Sequence, residues 1–306
     1  MLSSFHFCII FIMEQEYLDS AQARLGLTLS TDLDASLAEA LCQPDFSGYF
    51  DDASQLEASA QKELLKLAQA FAHTPISGFK VGALAIGKSG TGYLGANMEF
   101  SGVPLHASLH AEQSAILNAW MHGEPGIQAL IVSEPPCGHC RQFLFELHDA
   151  AELSIIVKGK SKNLHELMPE AFAQTRAKGR GLLDSPAQKL INIRRNGGDH
   201  TQRAINAASR SYTPYSQSSE GFIIETINGN HFAGRTAESI AFNPSVPAAI
   251  TALNQMNLSA HRKESITGCT HAKLVTALTH SLAFSEALMR GICNVPVESV
   301  LMESSD

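Results

Sequence analysis

The stretch Leu109–Leu144, LHAEQSAILNAWMHGEPGIQALIVSEPPCGHCRQFL, decides how this chain is read. It places His110 and Glu112 two residues apart, then Cys137 and Cys140 three apart, with the 23 residues 113–135 and then Pro136 between the two pairs. One imidazole and two thiolates suit a soft-to-borderline cation, and three protein ligands on tetrahedral zinc leave a fourth position for water. Separately, each pair is weak: HxE is common by chance, and CxxC also reads as half of a structural zinc site or as a redox pair. Together they predict a zinc site with a carboxylate beside it. The apolar spacing makes 109–121 a helix, 128–132 a strand and 138–148 a second helix, so both ligand pairs fall at helix N-termini. Free N–H groups and the helix dipole stabilise negative charge there and lower thiol pKa values. Arg141, next to Cys140, either offsets the thiolates further or is an exposed first-turn arginine.

Upstream, Lys80–Ile86 and Thr91–Met98 read as two strands joined by a Gly87–Gly90 turn, a hairpin. A helix is expected from Ser54 as N-cap, carrying Leu56, Ala60, Leu64, Leu67 and Phe71 at three- to four-residue steps. Before it, Leu18, Leu25, Leu27, Leu33, Leu37 and Leu41 form a helical arm broken by turns such as Ser30-Thr31-Asp32. Downstream, 153–157 is a further strand. Strands alternating with helices predict an α/β fold, a layered α/β/α domain with a mixed, mostly covered sheet.

The second half repeats the first. TPISGFKVGALAIG from Thr74 aligns with TPYSQSSEGFIIET from Thr213, and the offset of 139 also pairs Gly95 with Gly234 and Glu99 with Glu238. Asn228-Gly229 supplies the second hairpin turn. Setting Leu253-Asn254 on Leu117-Asn118 puts Val246 at the place of His110 and Ala248 at that of Glu112, and no CxxC follows Cys140. The expected organisation is therefore a helical arm over 14–53, a catalytic domain over 54–157, a connection over 158–200 and a metal-free copy over 201–306. Cys269 and Cys293 are expected as small core residues.

The 306 residues, 44% of them hydrophobic, suffice for two such domains. A formal net charge of -8 argues against a nucleic-acid surface, which draws its affinity from clustered Lys and Arg, and favours a small near-neutral substrate. No segment reaches the length of a membrane span. Six cysteines without a paired framework predict a reducing, cytoplasmic setting in which Cys137 and Cys140 stay available as thiolates. The apolar run Phe7–Met13 lacks a preceding Lys or Arg and a following cleavage site, so translation is expected to start at Met13, with a short anchor as the alternative.

The joint pattern H-x-E…P-C-x-x-C is that of zinc deaminases acting on nucleobases. With Asn97-Met98-Glu99-Phe100, His110-Ala111-Glu112-Gln113 and Pro136-Cys137-Gly138-His139-Cys140-Arg141-Gln142, the chain from about Leu56 to Leu301 resembles the long, two-domain bacterial cytidine deaminases. The resemblance implies one Zn²⁺ per chain on His110, Cys137 and Cys140, with Glu112 as proton shuttle. It implies Asn97 and Glu99 on the ribose hydroxyls with Met98 between them, Phe79 facing the pyrimidine and the Ala111 backbone at the base edge. It further implies a homodimer in which the partner's C-terminal domain closes the site near residues 241–244, acting on a nucleoside without nucleic acid or membrane. Ser133-Glu134-Pro135 stands where the family often has an aromatic residue, which puts substrate packing or subunit contact in question there. Two alternatives stay open: a polynucleotide cytosine deaminase, and a structural-zinc protein with His139 or His106 as fourth ligand.

Overall fold

Strand β2 (Gly82–Gly87) is buried along its whole length, because it lies inside a sheet covered on both faces. The structure, a computed structural model, describes residues 16, 18–29, 35–148, 150–172, 180–194 and 197–305. Met13, Leu33 and the Ser30-Thr31-Asp32 turn lie outside the described residues. The first sheet has the order β1 (Tyr49–Phe50), β3 (Gly92–Ala96), β2, β4 (Ile127–Val132), β5 (Ser154–Val157) and β6 (Lys160–Asn163). All neighbours in it are antiparallel except β4 and β5.

Alternation along β2 separates two cores. Ala83 and Ala85 face helix α3 (Ala111–Met121), whose first ten residues are all buried. Leu84 and Ile86 face Leu64, Leu67 and Phe71 on or just after helix α2 (Ala58–Ala70) and the arm, including Leu18, Leu25 and helix α1 (Ala35–Cys42) through Leu37 and Leu41. Each fully buried Leu or Phe removes enough apolar surface from water to stabilise by about 1.5–3 kcal/mol.

The second sheet repeats the plan in the order β7 (Leu190–Asn192), β11 (Val297–Ser304), β10 (Ile266–Leu274), β8 (Glu220–Thr226) and β9 (His231–Arg235). Its parallel pair is β10 with β11, as β4 pairs with β5. Helix α6 (Asp199–Ala208) covers one face through Ala204, Ile205 and Ala208. Helix α7 (Ala248–Asn257) covers the other and meets α3 in one shared core, so the two halves stack arm and α2, sheet, α3 with α7, sheet, α6. The remaining helices are α4 (Gly138–Leu144), α5 (Leu164–Leu167) and α8 (Leu282–Ile292).

Three expectations change. Ser54 does not cap α2: it sits in the turn Ala53–Gln55, its backbone N–H donates to Gly90 O at 3.0 Å, and the helix begins after Glu57. Helix α4 ends at Leu144 rather than His148. Within 158–200, expected to be a connection, β6 lengthens the first sheet, α5 follows it and β7 joins the second sheet.

The copy's register also shifts. Met98 bridges Leu109 and Ala237 bridges Val246, so the span between the matching strand end and helix is two residues shorter in the second half. His110, the N-cap of α3, corresponds to Pro247, the N-cap of α7, and Glu112 corresponds to Ala249 rather than Ala248. The conclusion that the copy lacks the imidazole and the carboxylate is unchanged.

Candidate metal centre and cleft

Helices α3 and α4 bring the two halves of the motif together at their N-termini. His110 and Cys137 are the respective N-caps, both with extended backbone, and Cys140 lies one turn into α4, fully buried. His110 Nδ1 is 3.5 Å from Cys137 Sγ and 3.3 Å from Cys140 Sγ, and the two sulfurs are 3.7 Å apart. Zn–S bonds of about 2.3 Å and Zn–N bonds of about 2.0 Å at tetrahedral angles need separations near 3.8 and 3.5 Å, so these residues fit the ion. Among the described residues the ligand group contains these three side chains alone. His139 stacks on His110 with ring centroids 5.1 Å apart, and His106 is exposed in the turn Leu105–Ala107. Neither belongs to the group, which is the arrangement of an open rather than a closed zinc site.

Electrostatics separate the two thiols. Cys140 and His110 hydrogen-bond to Cys137 and pull it down to about 3, whereas the contact with Cys137 and then burial push Cys140 up. Glu112 is only 4% exposed, and burial raises its carboxyl pKa. A buried carboxyl with a raised pKa beside a metal group has the character of a proton-transfer residue. Arg141 does not face the thiolates; its guanidinium donates to Pro136 O and Leu167 O, both at 2.8 Å, and ties the cysteine turn to α5.

A cleft of about 380 Å³ opens over this group, lined by Phe79, Asn97, Glu99, His110, Ala111, Glu112 and Cys137, with Glu134 at its wall. Phe79 is 59% exposed, an apolar ring held at the cleft rather than in the core. Asn97 accepts from Val81 N at 2.8 Å and donates to Phe79 O at 2.9 Å, so it shapes the segment that carries the ring. Glu99 accepts from Ile76 N and Ser77 N, both at 2.9 Å, and from the Ser77 hydroxyl. Burial alone would raise its carboxyl, but these bonds outweigh it and lower the pKa. Glu134 pairs with Lys158 at 3.2 Å.

Met98 is not brought to the cleft. It is buried in the shared core, because successive strand side chains alternate and its neighbours Asn97 and Glu99 take the cleft side.

Two family models described as "Cytidine and deoxycytidylate deaminase zinc-binding region" match residues 57–156 and 164–283. The chain belongs to this family. It is similar to the cytidine deaminase of Pectobacterium carotovorum subsp. carotovorum (strain PC1), with 41% identity over 90% of this chain and 96% of that one. With the cytidine deaminase of Yersinia pestis (strain Pestoides F) it shares 45% identity over 72% of this chain and 74% of that one. Among solved structures, the cytidine deaminase of Mycobacterium tuberculosis matches 40% of this chain and 93% of that chain at 30% identity, with a TM-score of 0.33. The two matched regions accord with the internal duplication, and the family is zinc-binding.

In the second half of this chain the N-cap of the corresponding helix belongs to a different cluster. Ser281 precedes α8 where Cys137 precedes α4, and its N–H and hydroxyl donate to Glu220 at 2.8 and 2.7 Å. His271 Nε2 lies 3.2 Å from the same carboxylate, and both partners are buried. Burial opposes the charge on Glu220, but the bonds from His271 and Ser281 outweigh it and lower its pKa. Cys269 is buried and Cys293 half-buried, both packed in the shared core.

Proposed function

We propose that the protein catalyses hydrolytic deamination of cytidine and 2′-deoxycytidine to uridine and 2′-deoxyuridine, releasing ammonia. One observation carries this reading: three ligand atoms lie at zinc spacing, and two of the residues that bear them, His110 and Cys137, line one cleft with Glu112. His110, Cys137 and Cys140 would hold one Zn²⁺ per chain, which when bound supplies Lewis-acid activation of water, lowering its pKa towards about 7. Glu112 takes a proton from the attacking water and delivers it to ring N3; it then takes the remaining proton from the new C4 hydroxyl as the carbonyl forms and gives it to the C4 amine, which leaves as ammonia. Positioned acid–base action of this kind contributes about two to four orders of magnitude. With the capacity their loop contacts leave, Glu99 accepts from a ribose hydroxyl and Asn97 accepts from or donates to one. Phe79 stacks on the pyrimidine, and the Ala111 backbone at the first turn of α3 meets the base edge.

The reading includes a cytoplasmic homodimer and the division into arm, catalytic domain, connection and metal-free copy at 14–53, 54–157, 158–200 and 201–306, the connection lending β6 to the first sheet and β7 to the second. Exposed apolar side chains support a partner: Leu105 at the cleft is 72% exposed, and Phe242, with a left-handed φ of 61°, is 71% exposed. Among the described residues no helix is long and apolar enough to cross a membrane.

Loss of cytidine absorbance with purified protein tests the proposal. Zinc chelation should abolish turnover, and Glu112→Gln should lower kcat by about 10² to 10⁴ while zinc stays bound. Activity on a single-stranded oligonucleotide but not on cytidine would transfer the assignment to a polynucleotide deaminase, and full activity of Glu112→Gln would refute the proton role.

A further inference from the structure

The two helices that carry the metal ligands are separated in sequence by β4, so no covalent link fixes the distance between their N-termini. One loop of the metal-free half touches both. Gln113, 1% exposed on α3, donates from Nε2 to Pro244 O at 2.8 Å, while its Oε1 accepts from the backbone N–H of His110 at 3.3 Å. Glu146, fully buried just beyond α4, accepts from Ile240 N at 2.9 Å and from the hydroxyls of Tyr212 and Tyr215, both at 2.8 Å. The loop between Ile240 and Pro244 is itself braced, since Ser239 N donates to Ser245 Oγ at 2.9 Å and Ser245 N to Phe242 O at 2.9 Å.

We infer that this loop is a clamp within the same chain, with Gln113 and Glu146 as positioning residues that hold His110 at a fixed distance from the two cysteines. Buried hydrogen bonds are suited to such a clamp. A donor or acceptor left without its partner away from water is costly, so displacing one helix without the loop and the other helix carries that cost. The metal-free half then serves the metal site of its own chain, in addition to whatever it does for a partner. The inference about catalysis rests on the deaminase reading, but the geometric clamp does not.

The test uses the full-length zinc-loaded protein with Gln113→Met, Glu146→Gln and the double variant, reading kcat and KM for cytidine and the rate of zinc release to a chromogenic chelator. Each single variant should lower kcat by about ten-fold with KM held within about two-fold, and should speed zinc release by about ten-fold, the size of one or two lost hydrogen bonds. Both act through one loop, so the double variant should lose clearly less than the product of the singles. Tyr215→Phe removes a single donor at the rim of the contact and keeps the test alive if the buried variants do not fold; about a two- to five-fold change in zinc release is expected. Unchanged zinc release in folded variants, or effects that multiply, would overturn the clamp. A wild-type protein inert on cytidine would instead overturn the deaminase reading and leave the zinc-release result to decide the clamp.

Discussion

Gly95 and Gly234 offer a matched pair of perturbations, because they occupy equivalent places in the two halves and only one stands behind a metal site. Gly95 lies on β3 against the first turns of α3, and a Cβ there would press into Ala111 O and Ala115 N. Gly234 lies on β9 and would press into Ala248 O and Ala252 N of α7. The obstructing atoms are backbone, so no side chain can swing aside. To restore van der Waals contact the helix must retreat from the sheet by about 1 Å, in an interior packed too densely to absorb it locally. Overpacking of this kind costs about 1–3 kcal/mol, sometimes more. At about 2–4 °C per kcal/mol for domains of this size, each Gly→Ala variant should melt about 3–10 °C below wild type.

The functional outcomes should diverge. In Gly95→Ala the retreating turn carries His110 as its cap and Ala111 and Glu112 as its first residues, while Cys137 and Cys140 stay with α4. A misplacement near 1 Å at the reacting centre costs about 100-fold in rate. In Gly234→Ala the moving turn carries Ala248 and Ala249, with no ligand, and kcat should stay within about ten-fold of wild type. Thermal scans and cytidine turnover well below the melting range measure both. Equal losses of kcat in the two variants, or wild-type kcat in Gly95→Ala, would refute the reasoning.

Three more outcomes are expected. Glu220→Ala leaves His271 Nε2 and the Ser281 N–H without their acceptor, so the urea midpoint should fall by the equivalent of about 1–3 kcal/mol with zinc content unchanged; an unmoved midpoint would show the cluster to be dispensable. At Glu264, burial opposes ionisation, but hydrogen bonds from Asn228, Thr226, Asn230 and His261 hold the carboxyl at about 2, below its ordinary 4.5. A depressed folded-state pKa gives stability that is present above pH 4.5 and lost as pH falls towards 2. Acid titration of stability should therefore be flatter across that window in Glu264→Gln, and an identical acid limb would contradict it. Phe79→Ala should raise KM for cytidine by about ten-fold, the scale of one base–aromatic stack, with the melting temperature unchanged; an unaltered KM would remove Phe79 from the pocket.

How much of the site is legible in the sequence follows from the range of the interactions. His110, Cys137 and Cys140 can be named from the residues because a metal demands particular atoms, and the helical periodicity puts them at helix starts. Met98 is misplaced by a reading that follows neighbourhood over alternation, since a strand cannot turn three successive side chains into one cleft. Asn97 and Glu99 do line the cleft, but their bonds to residues 76–81 of the same wall have no sequence signal. Gln113 and Glu146 are unreadable for a plainer reason: their partners lie 131 and 94 residues away, across a domain boundary. The copy's helix reads one residue out of register because a short gap precedes it and its matched leucine and asparagine recur by coincidence.

Comparing the halves shows which contacts the fold needs and which the chemistry needs. Glu238 accepts from Tyr215 N, Ser216 N and the Ser216 hydroxyl, as Glu99 accepts from Ile76 N, Ser77 N and the Ser77 hydroxyl. In both halves the serine hydroxyl also accepts a backbone N–H two residues on, from Phe79 or from Ser218, each at 3.0 Å. This loop brace persists where no metal ligand remains, so it does not depend on substrate. Glu99 thus has a structural role that its copy retains, and any contact with ribose must use the lone pairs left over. A change at Glu99 will accordingly mix lost substrate binding with a loosened wall, whereas a change at Glu238 removes the brace alone. The difference between Glu99→Gln and Glu238→Gln in KM for cytidine isolates the share of Glu99 that belongs to the substrate, and equal KM values would assign that carboxylate wholly to the fold.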